Sequence, residues 1–283
     1  MEDLRYLDWQ TNLSKSRGSG GCYYKSEYDG KFYKLSLFDN FSGKVEGVES
    51  INEVVVSRFC DLVGLSHIEY RGVEGIINIC GKDLSAYICV SDDFSQDGYS
   101  KILYETMLMA NNMPLNDPVG NFKKLGFLKE YCEYCLLDFI IRNVDRHEAN
   151  IEFLVPDGRM VINGIKLVDP FDNGLSLYSF YYNDIFKMLS APIIDDAKTN
   201  TCLTVDRKLS TGLLNIHKLG IKLVLNPIPR EVSVLRKVLF DDAMYDYLLT
   251  GSSDGNLLYA EKVCEILIGR YEYAKEKGIF VER

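Results

Sequence analysis

The spacing of the apolar residues changes once along the chain, near residue 96, and this change limits the folds that the sequence can adopt. Before this point, short runs such as "KFYKLSLF" and "SAYICVS" are separated by Asp-Gly and Gly-Lys turns, which is typical of a small β-sheet. One longer run there, "SINEVVVSRFCDLVGL", has helical spacing. After this point, apolar residues three and four apart predict helices at residues 99–112, 127–143, 232–251 and 256–278.

This pattern predicts an α+β fold with a β-rich lobe at residues 1–96 and a larger, mainly helical lobe at residues 97–283. The net charge of −9 argues against a general surface for nucleic acid or for an anionic membrane. No apolar run approaches the roughly 18 to 20 residues of a membrane span, and the first residues do not resemble a signal peptide. We therefore expect a cytoplasmic protein that has no membrane span and does not bind nucleic acid directly.

The cysteines indicate reduced thiols rather than a disulfide framework. Eight of them are scattered along a chain of 283 residues, which is too long to need disulfides for stability. Cys132 and Cys135 form a CxxC motif, for which structural zinc or redox chemistry is the alternative. This motif lies in a helix-like run without a second CxxC or nearby histidines, so we interpret it as structural.

Two polar loops flank one predicted hairpin in the second lobe. The first, "NVDRHEAN", follows the predicted helix at 127–143 and contains Asp145 and Asn150. The second, "LVDPFDNG", follows the far strand of the hairpin and contains Asp172. The hairpin itself has a Pro-Asp-Gly turn between two apolar runs. The strand pairing should therefore bring the two acidic loops close together.

The spacing in these loops is that required for phosphoryl transfer from ATP. In protein kinases an aspartate accepts the substrate hydroxyl proton, and an asparagine five positions later binds magnesium. Asn150 follows Asp145 by this interval, and Asp172 stands where the metal-binding aspartate of the DFG loop would stand. The sequence thus predicts Asp145 as the catalytic base, Asn150 and Asp172 as Mg²⁺ ligands, and ATP as the nucleotide.

The first lobe supplies a candidate cation for the ATP phosphates. Lys34 lies in mid-strand, where a lysine facing the interior is costly unless paired, and Glu53 in the following helix is its predicted partner. Glu49 is a second candidate partner. Upstream, the glycine-rich run "SKSRGSGG" could cover phosphates with its backbone N–H groups, although it matches neither common phosphate-binding motif.

These residues together resemble the HipA-like serine/threonine kinases, which are toxin kinases with a bilobal protein-kinase-like fold. The resemblance runs from about residue 16 to the last helix and is sharpest in "NVDRHEAN" and "LVDPFDNGLSL". It implies a protein substrate phosphorylated on serine or threonine, and it raises an antitoxin-like inhibitory protein as a partner. It also implies that residues 90–94 form the hinge that meets adenine.

The resemblance assigns the remaining nucleotide contacts. The predicted ATP-binding residues are Lys34, Glu53, Ser16, Gly18, Ser19, Gly20, Gly21, Val90, Asp92, Phe94 and His147. The family resemblance also makes Ser16 and Ser19 candidates for autophosphorylation. A phosphate there would add roughly two negative charges beside the nucleotide phosphates and should lower activity.

Other interpretations of the same residues stay open at this stage. Phosphoinositide kinases carry a D-R-H-x-x-N loop, which "DRHEAN" satisfies, although "DPFDNG" is closer to the HipA-like form. A lipid or small-molecule kinase is therefore one alternative, and a nucleotide-binding pseudokinase that acts through protein interaction is another. In the simplest alternative, Asp145 and Asn150 form a turn and a helix cap, and Lys34 is a solvated strand residue.

Overall fold

A computed structural model describes residues 1–11, 23–157 and 164–283. The strands are β1 (Glu2–Asp3), β2 (Lys25–Tyr28), β3 (Lys31–Leu35), β4 (Phe38–Asp39), β5 (Lys44–Val45), β6 (Arg71–Ile79), β7 (Lys82–Asp92), β8 (Tyr99–Leu103), β9 (Glu152–Pro156), β10 (Lys166–Leu167), β11 (Leu223–Leu225) and β12 (Phe280–Glu282). The α-helices are α1 (Glu49–Val63), α2 (Tyr104–Ala110), α3 (Pro118–Leu125), α4 (Leu128–Ile141), α5 (Ile185–Ser190), α6 (Leu209–Leu219), α7 (Val232–Leu239), α8 (Asp242–Asp246) and α9 (Ser253–Glu276).

The N-terminal part of the chain forms a five-stranded sheet in the order β1-β6-β7-β3-β2. Its strands are antiparallel except for β1, which pairs parallel to β6. Successive side chains of a strand point to opposite faces. Lys34 of β3 lies opposite Lys25 of β2 and Cys89 of β7, so these three residues share one face. Tyr33 and Val90 share the other face.

The two faces of this sheet are covered by different partners. The face of Tyr33 and Val90 packs in a small core with Leu4, Leu7 and Trp9 from the N-terminal segment. The face of Lys34 and Cys89 is turned toward α1, which packs against the sheet with one side and against α7 with another. Helix α1 ends at Gly64, whose φ of 76° is readily adopted by glycine. The helix predicted in this lobe is confirmed.

The C-terminal part of the chain is mainly helical around α4 and α9. These helices contact each other, α6 packs on α4, and α5 and α7 pack on α9. Cys132 and Cys135 lie buried on α4, where burial raises the pKa of both thiols, that of Cys132 to about 12. Within the described ranges, no group of three or more His, Cys, Asp or Glu side chains is placed to hold a metal ion.

The helix predicted at residues 99–112 is wrong in its first part. Residues Tyr99–Leu103 form β8, which pairs antiparallel with β9 along its whole length, and α2 begins only at Tyr104. The apolar residues of this segment have helical spacing. Its backbone N–H and C=O groups, however, form hydrogen bonds with β9 and not with residues of its own segment. β9 also pairs with β10, which confirms the predicted strand pair; the turn between them, at residues 158–163, lies outside the described residues.

The helix predicted at residues 232–251 is two helices, α7 and α8, with a break at Phe240 and Asp241. Asp241 is in extended conformation and its carboxylate accepts a hydrogen bond from the backbone N–H of Met244, at 3.1 Å. The same carboxylate accepts from Arg58 of α1, at 2.7 Å. The two hydrogen bonds of Asp241 therefore stabilise the break between α7 and α8 more than an uninterrupted helix would be stabilised at this position.

Residues 93–98 connect β7, the last strand of the first sheet, to β8. A lobe boundary between residues 96 and 97 stays a prediction. In the described ranges no helix combines the length and the apolar character that a membrane crossing requires.

Candidate active site

A cavity of about 130 Å³ opens between the lysine-bearing face of the sheet, α1 and the two polar loops. Ionisable side chains from five segments line it, which are two strands, one helix and the two polar loops: Lys25, Lys34, Glu49, Glu53, Asp145, His147 and Asp172. Residues that the sequence analysis predicted on a strand, on a helix and in two loops therefore line the same cavity. This convergence makes the cavity the candidate active site.

Lys34 is paired with two carboxylates. Its ammonium group donates to Oε1 of Glu53 on α1 and to Oδ1 of Asp172, the latter at 2.8 Å. Burial alone would lower the pKa of Lys34, but the carboxylates of Asp172 and Glu53 raise it well above its ordinary value. Burial would likewise raise the pKa of Asp172, but the ammonium groups of Lys34 and Lys25 hold it well below its ordinary value. Both Lys34 and Asp172 are therefore charged at neutral pH.

Helix α1 fixes the loop that carries Asp172. Oε2 of Glu53 accepts from the backbone N–H of Asn173 at 2.9 Å, so one carboxylate holds both Lys34 and the loop. Asn52 donates through Nδ2 to the carbonyl oxygens of Gly174 and Ser176, at 3.0 Å each. A Cβ atom at Gly174 would lie 2.9 Å from Cβ of Glu49, so the loop packs directly on the helix. Asn52 and Glu53 are both buried, and their bonds to the loop explain why a helix in a hydrophobic core carries them.

The loop around Asp145 is held by its own side chains. The backbone N–H of Asp145 donates to Oδ1 of Asn143 at 2.9 Å, and Nδ2 of Asn150 donates to the carbonyl oxygen of Asp145 at 2.7 Å. Oδ1 of Asp145 accepts from Nδ2 of Asn200 at 3.0 Å, while Oδ2 lies 3.6 Å from Nε2 of His147. The carboxylate is partly exposed and can be reached from the cavity.

Arg146 joins the two polar loops below the cavity. Its guanidinium is fully buried, forms an ion pair with Asp138 of α4 at 3.0 Å, and donates to the carbonyl oxygen of Phe171. It also donates to Oδ1 of Asn173, at 2.5 Å. The Asp145 loop and the Asp172 loop thus share one buried cation, and their relative position depends on it.

The predicted site residues other than those of the hinge fall into three groups. Lys34, Glu53, Asp145, His147 and Asp172 line the cavity. Asn150 is buried and bonds to the backbone of Asp145, next to the cavity. The glycine-rich loop residues Ser16, Gly18, Ser19, Gly20 and Gly21 lie outside the described residues.

The predicted hinge residues are not brought to this cavity. Val90 belongs to the opposite face of the sheet, because it is one residue away from Cys89, whose side chain lines the cavity. Val90, Asp92 and Phe94 border a separate cavity together with residues of the loop after α1. Phe94 does approach the Asp172 loop: its ring lies 5.6 Å from that of Phe171, with the Lys101 ammonium 3.9 Å from its ring centre.

Lys25 is a charged cavity residue that the sequence analysis missed, although the sequence contains a signal for it. Asp29 and Gly30 both have positive φ, 51° and 68°, as a two-residue hairpin turn requires. Counting outward from this Asp-Gly pair places Lys25 opposite Lys34, which is the observed register. Asn52 and Asn200 gave no comparable signal, because their roles depend on contacts between distant segments.

The fold and the cavity together define a kinase-like α+β protein. No family model matches the chain, and no curated protein matches it. Among solved structures 13 chains match, one of which is the proinflammatory kinase CtkA of Helicobacter pylori. It is 14% identical, with a TM-score of 0.56, over 98% of this chain and 96% of that chain. Similarity at this identity concerns the fold, and it confirms the predicted kinase-like α+β architecture.

Proposed function

We propose that the protein is a kinase that transfers the γ-phosphoryl group of ATP, with Mg²⁺, to a serine or threonine hydroxyl of a protein. The observation that supports this most is the meeting of Lys34, Glu53, Asp172 and Asp145 in one cavity. A structural network has no need to leave the Asp145 carboxylate partly exposed beside a buried Lys-Glu pair. Phosphoryl transfer uses both, because it depends on positioned charges and a base close to them.

In this proposal Lys34 binds the ATP phosphates. Glu53 keeps its ammonium group in place and charged, and Asn52 and Glu53 together fix the loop of Asp172. Asp145 accepts the proton of the substrate hydroxyl through Oδ2, the oxygen that Asn200 does not occupy. His147 accepts the backbone N–H of Ala149 at Nδ1, so its Nε2 carries the proton in the neutral ring and faces Asp145.

The side chains present also fit magnesium. Magnesium prefers carboxylate and amide oxygens, and the site offers an Asp172 carboxylate whose lowered pKa keeps it ionised. The amide nitrogen of Asn150 is bonded to the Asp145 carbonyl, which leaves the amide oxygen as its remaining polar atom. Asp172 and Asn150 would hold the ion, which would neutralise charge that develops on the phosphates.

The finer parts of the proposal rest on the sequence resemblance. We propose a HipA-like enzyme acting in the cytoplasm on a protein substrate, with an antitoxin-like protein as an inhibitory partner. Incubation with labelled ATP and Mg²⁺, separately with cell lysate and with lipid vesicles, tests the substrate class. Label on protein serine or threonine supports the proposal. Label on lipid alone would favour the phosphoinositide kinase alternative.

ATP with Mg²⁺ should raise the thermal midpoint of unfolding. A ligand that binds only the folded state stabilises it, by about 2.7 kcal/mol at roughly 100 times its dissociation constant. Asp172→Asn should reduce this rise, because the substitution removes a metal-ligand charge and the partner of Lys34. The measurement is the ligand-induced shift of each variant, compared with its own ligand-free midpoint.

Asp254→Asn serves as the matched control, since Asp254 is exposed at the start of α9 and should keep the full ligand-induced shift. A wild-type midpoint unchanged at millimolar ATP and Mg²⁺ would count against every kinase interpretation of the cavity.

A further inference from the structure

Lys25 lies in the wall of the candidate active site, directly opposite Lys34 in the β2–β3 hairpin. Its side chain lines the same cavity, and the residue is only 9% exposed. The backbone of Lys25 is bound to Gln10 by a pair of hydrogen bonds of 2.8 Å. The strand therefore holds this residue in a defined position, with its ammonium group in the cavity.

The two lysines differ in their partners. Lys34 is paired with Glu53 and Asp172, whereas the ammonium group of Lys25 forms no ion pair or hydrogen bond with any residue in the described ranges. Burial of a lysine without a partner is costly, and an anionic ligand in the cavity would supply a partner for it. Burial lowers the pKa of Lys25, and the nearby charge of Asp172 only partly offsets this effect.

The carboxylates of the described cavity residues have other partners. Asp145 accepts from Asn200 through Oδ1, and its Oδ2 lies 3.6 Å from Nε2 of His147. Glu53 binds Lys34 and the backbone of Asn173, and Asp172 binds Lys34. Oε2 of Glu49 accepts from the backbone N–H of Leu37 at 3.0 Å, and burial raises the pKa of Glu49. Among the described residues, then, none supplies a partner for the ammonium group of Lys25, and an anion that enters the cavity would supply one.

We propose that Lys25 is a second phosphate-binding lysine, which contacts a different phosphate group of ATP from the one that Lys34 contacts. Residues opposite each other on neighbouring antiparallel strands have Cα atoms about 4.5 to 5.5 Å apart. Two ammonium groups mounted in this way suit a polyphosphate chain better than a single phosphate. The inference rests on the proposed function and adds Lys25 to it. The sequence analysis had assigned no role to this residue.

The test compares Lys25→Met with wild type for ATP, ADP, AMP and adenosine, each measured as a dissociation constant by calorimetry. Affinity for ATP should fall on the order of tenfold or more, since a charge-assisted hydrogen bond is lost. Affinity for adenosine should stay unchanged, with ADP and AMP in between. The ligand-free variant should be at least as stable as wild type, because methionine removes a buried unpaired charge.

Two variants serve as controls. Lys25→Arg keeps the positive charge and should keep most of the ATP affinity. Lys44→Met, on exposed β5, should bind all four ligands as wild type does. A purely structural role of Lys25 predicts equal changes for all four ligands, or none, and either outcome would overturn the inference while leaving the proposed function standing. Absence of nucleotide binding by wild type would overturn both.

A measurement on wild type covers the case in which Lys25→Met does not fold. The protein is treated with an amine-acylating reagent with and without ligand, and acylation of each lysine is read by mass spectrometry. ATP should protect both Lys25 and Lys34 more strongly than AMP does. Protection of Lys34 with equal acylation of Lys25 in ATP and in AMP would overturn the inference.

Discussion

Asp145→Asn should leave the affinity for ATP near that of wild type and lower the rate of phosphoryl transfer on the order of a hundredfold or more, the range for loss of a positioned general base. Asparagine keeps the shape of the side chain, and its amide oxygen can still accept the hydrogen bond from Asn200. It lacks the basic oxygen that faces the cavity. Binding should survive because Lys34, Glu53 and Asp172 are untouched.

The informative measurement is a pair of values from one purified Asp145→Asn sample: the dissociation constant for ATP with Mg²⁺, and the transfer rate. Asn150→Ala is the comparison, because it removes the proposed metal-ligand oxygen and the bond to the Asp145 backbone. It should weaken metal-dependent binding and transfer together. Normal binding and near wild-type transfer in Asp145→Asn would show that Asp145 is not the base and that "NVDRHEAN" is a structural loop. Nucleotide binding without transfer by the wild-type protein would favour the pseudokinase interpretation.

The sequence was most informative where local chemistry determines structure. The Asp-Gly turn at residues 29–30, the apolar spacing of α1 and α4, and the two polar loops all follow from nearby residues. These features are sufficient to place Lys34, Glu53, Asp145 and Asp172 on the correct elements. The β9–β10 pair holds the two loops side by side, and Lys34 and Glu53 join them through their bonds to the Asp172 loop, so that five predicted residues meet in one cavity.

The sequence was least informative where long-range contacts outweigh local preference. The segment Tyr99–Leu103 has helical spacing but is a strand, since it pairs with residues of β9 that lie 49 to 57 positions further along the chain. The break before α8 depends on Arg58, which lies on α1. Neither partner can be identified from the spacing of apolar residues.

The contact of the predicted hinge with adenine stays a prediction, but its side chains show a different limit of the sequence, which is the choice between the two faces of a strand. Shifting a strand assignment by one residue exchanges its two faces. Val90 and Cys89 are neighbours in the chain, yet Val90 packs with Trp9 and Leu7 while Cys89 faces the cavity. The sequence placed this segment correctly near the end of a strand, but the face of each side chain required the observed register with β3.

The largest effect on stability is expected for the buried pair of Arg146 and Asp138. Arg146→Met leaves the carboxylate of Asp138 buried, with no cation near it, in a position where burial already raises its pKa. Removal of one member of a buried ion pair costs about 3 to 5 kcal/mol of the free energy of unfolding. Urea unfolding of the two proteins at one temperature measures the difference.

Two further variants separate the ion pair from general damage to the core. Arg146→Met combined with Asp138→Leu removes both charges and should recover part of the lost stability, because no charge is then left buried without a partner. Arg5→Met breaks an exposed arginine–aspartate cluster and should leave the free energy of unfolding nearly unchanged. Equal free energies of unfolding for Arg146→Met and for the double variant would show that the unpaired carboxylate of Asp138 does not cause the loss of stability.

The same variants also separate stability from function. Arg146 donates to the Phe171 carbonyl and to Asn173, so it sets the distance between the loops of Asp145 and Asp172. The double variant restores charge balance but not these two bonds. At a temperature where it is fully folded, it should therefore still bind ATP more weakly than wild type in the presence of Mg²⁺. If its binding and transfer equal those of wild type, the two loops are positioned by the hairpin and by α1 alone, and Arg146 serves stability only.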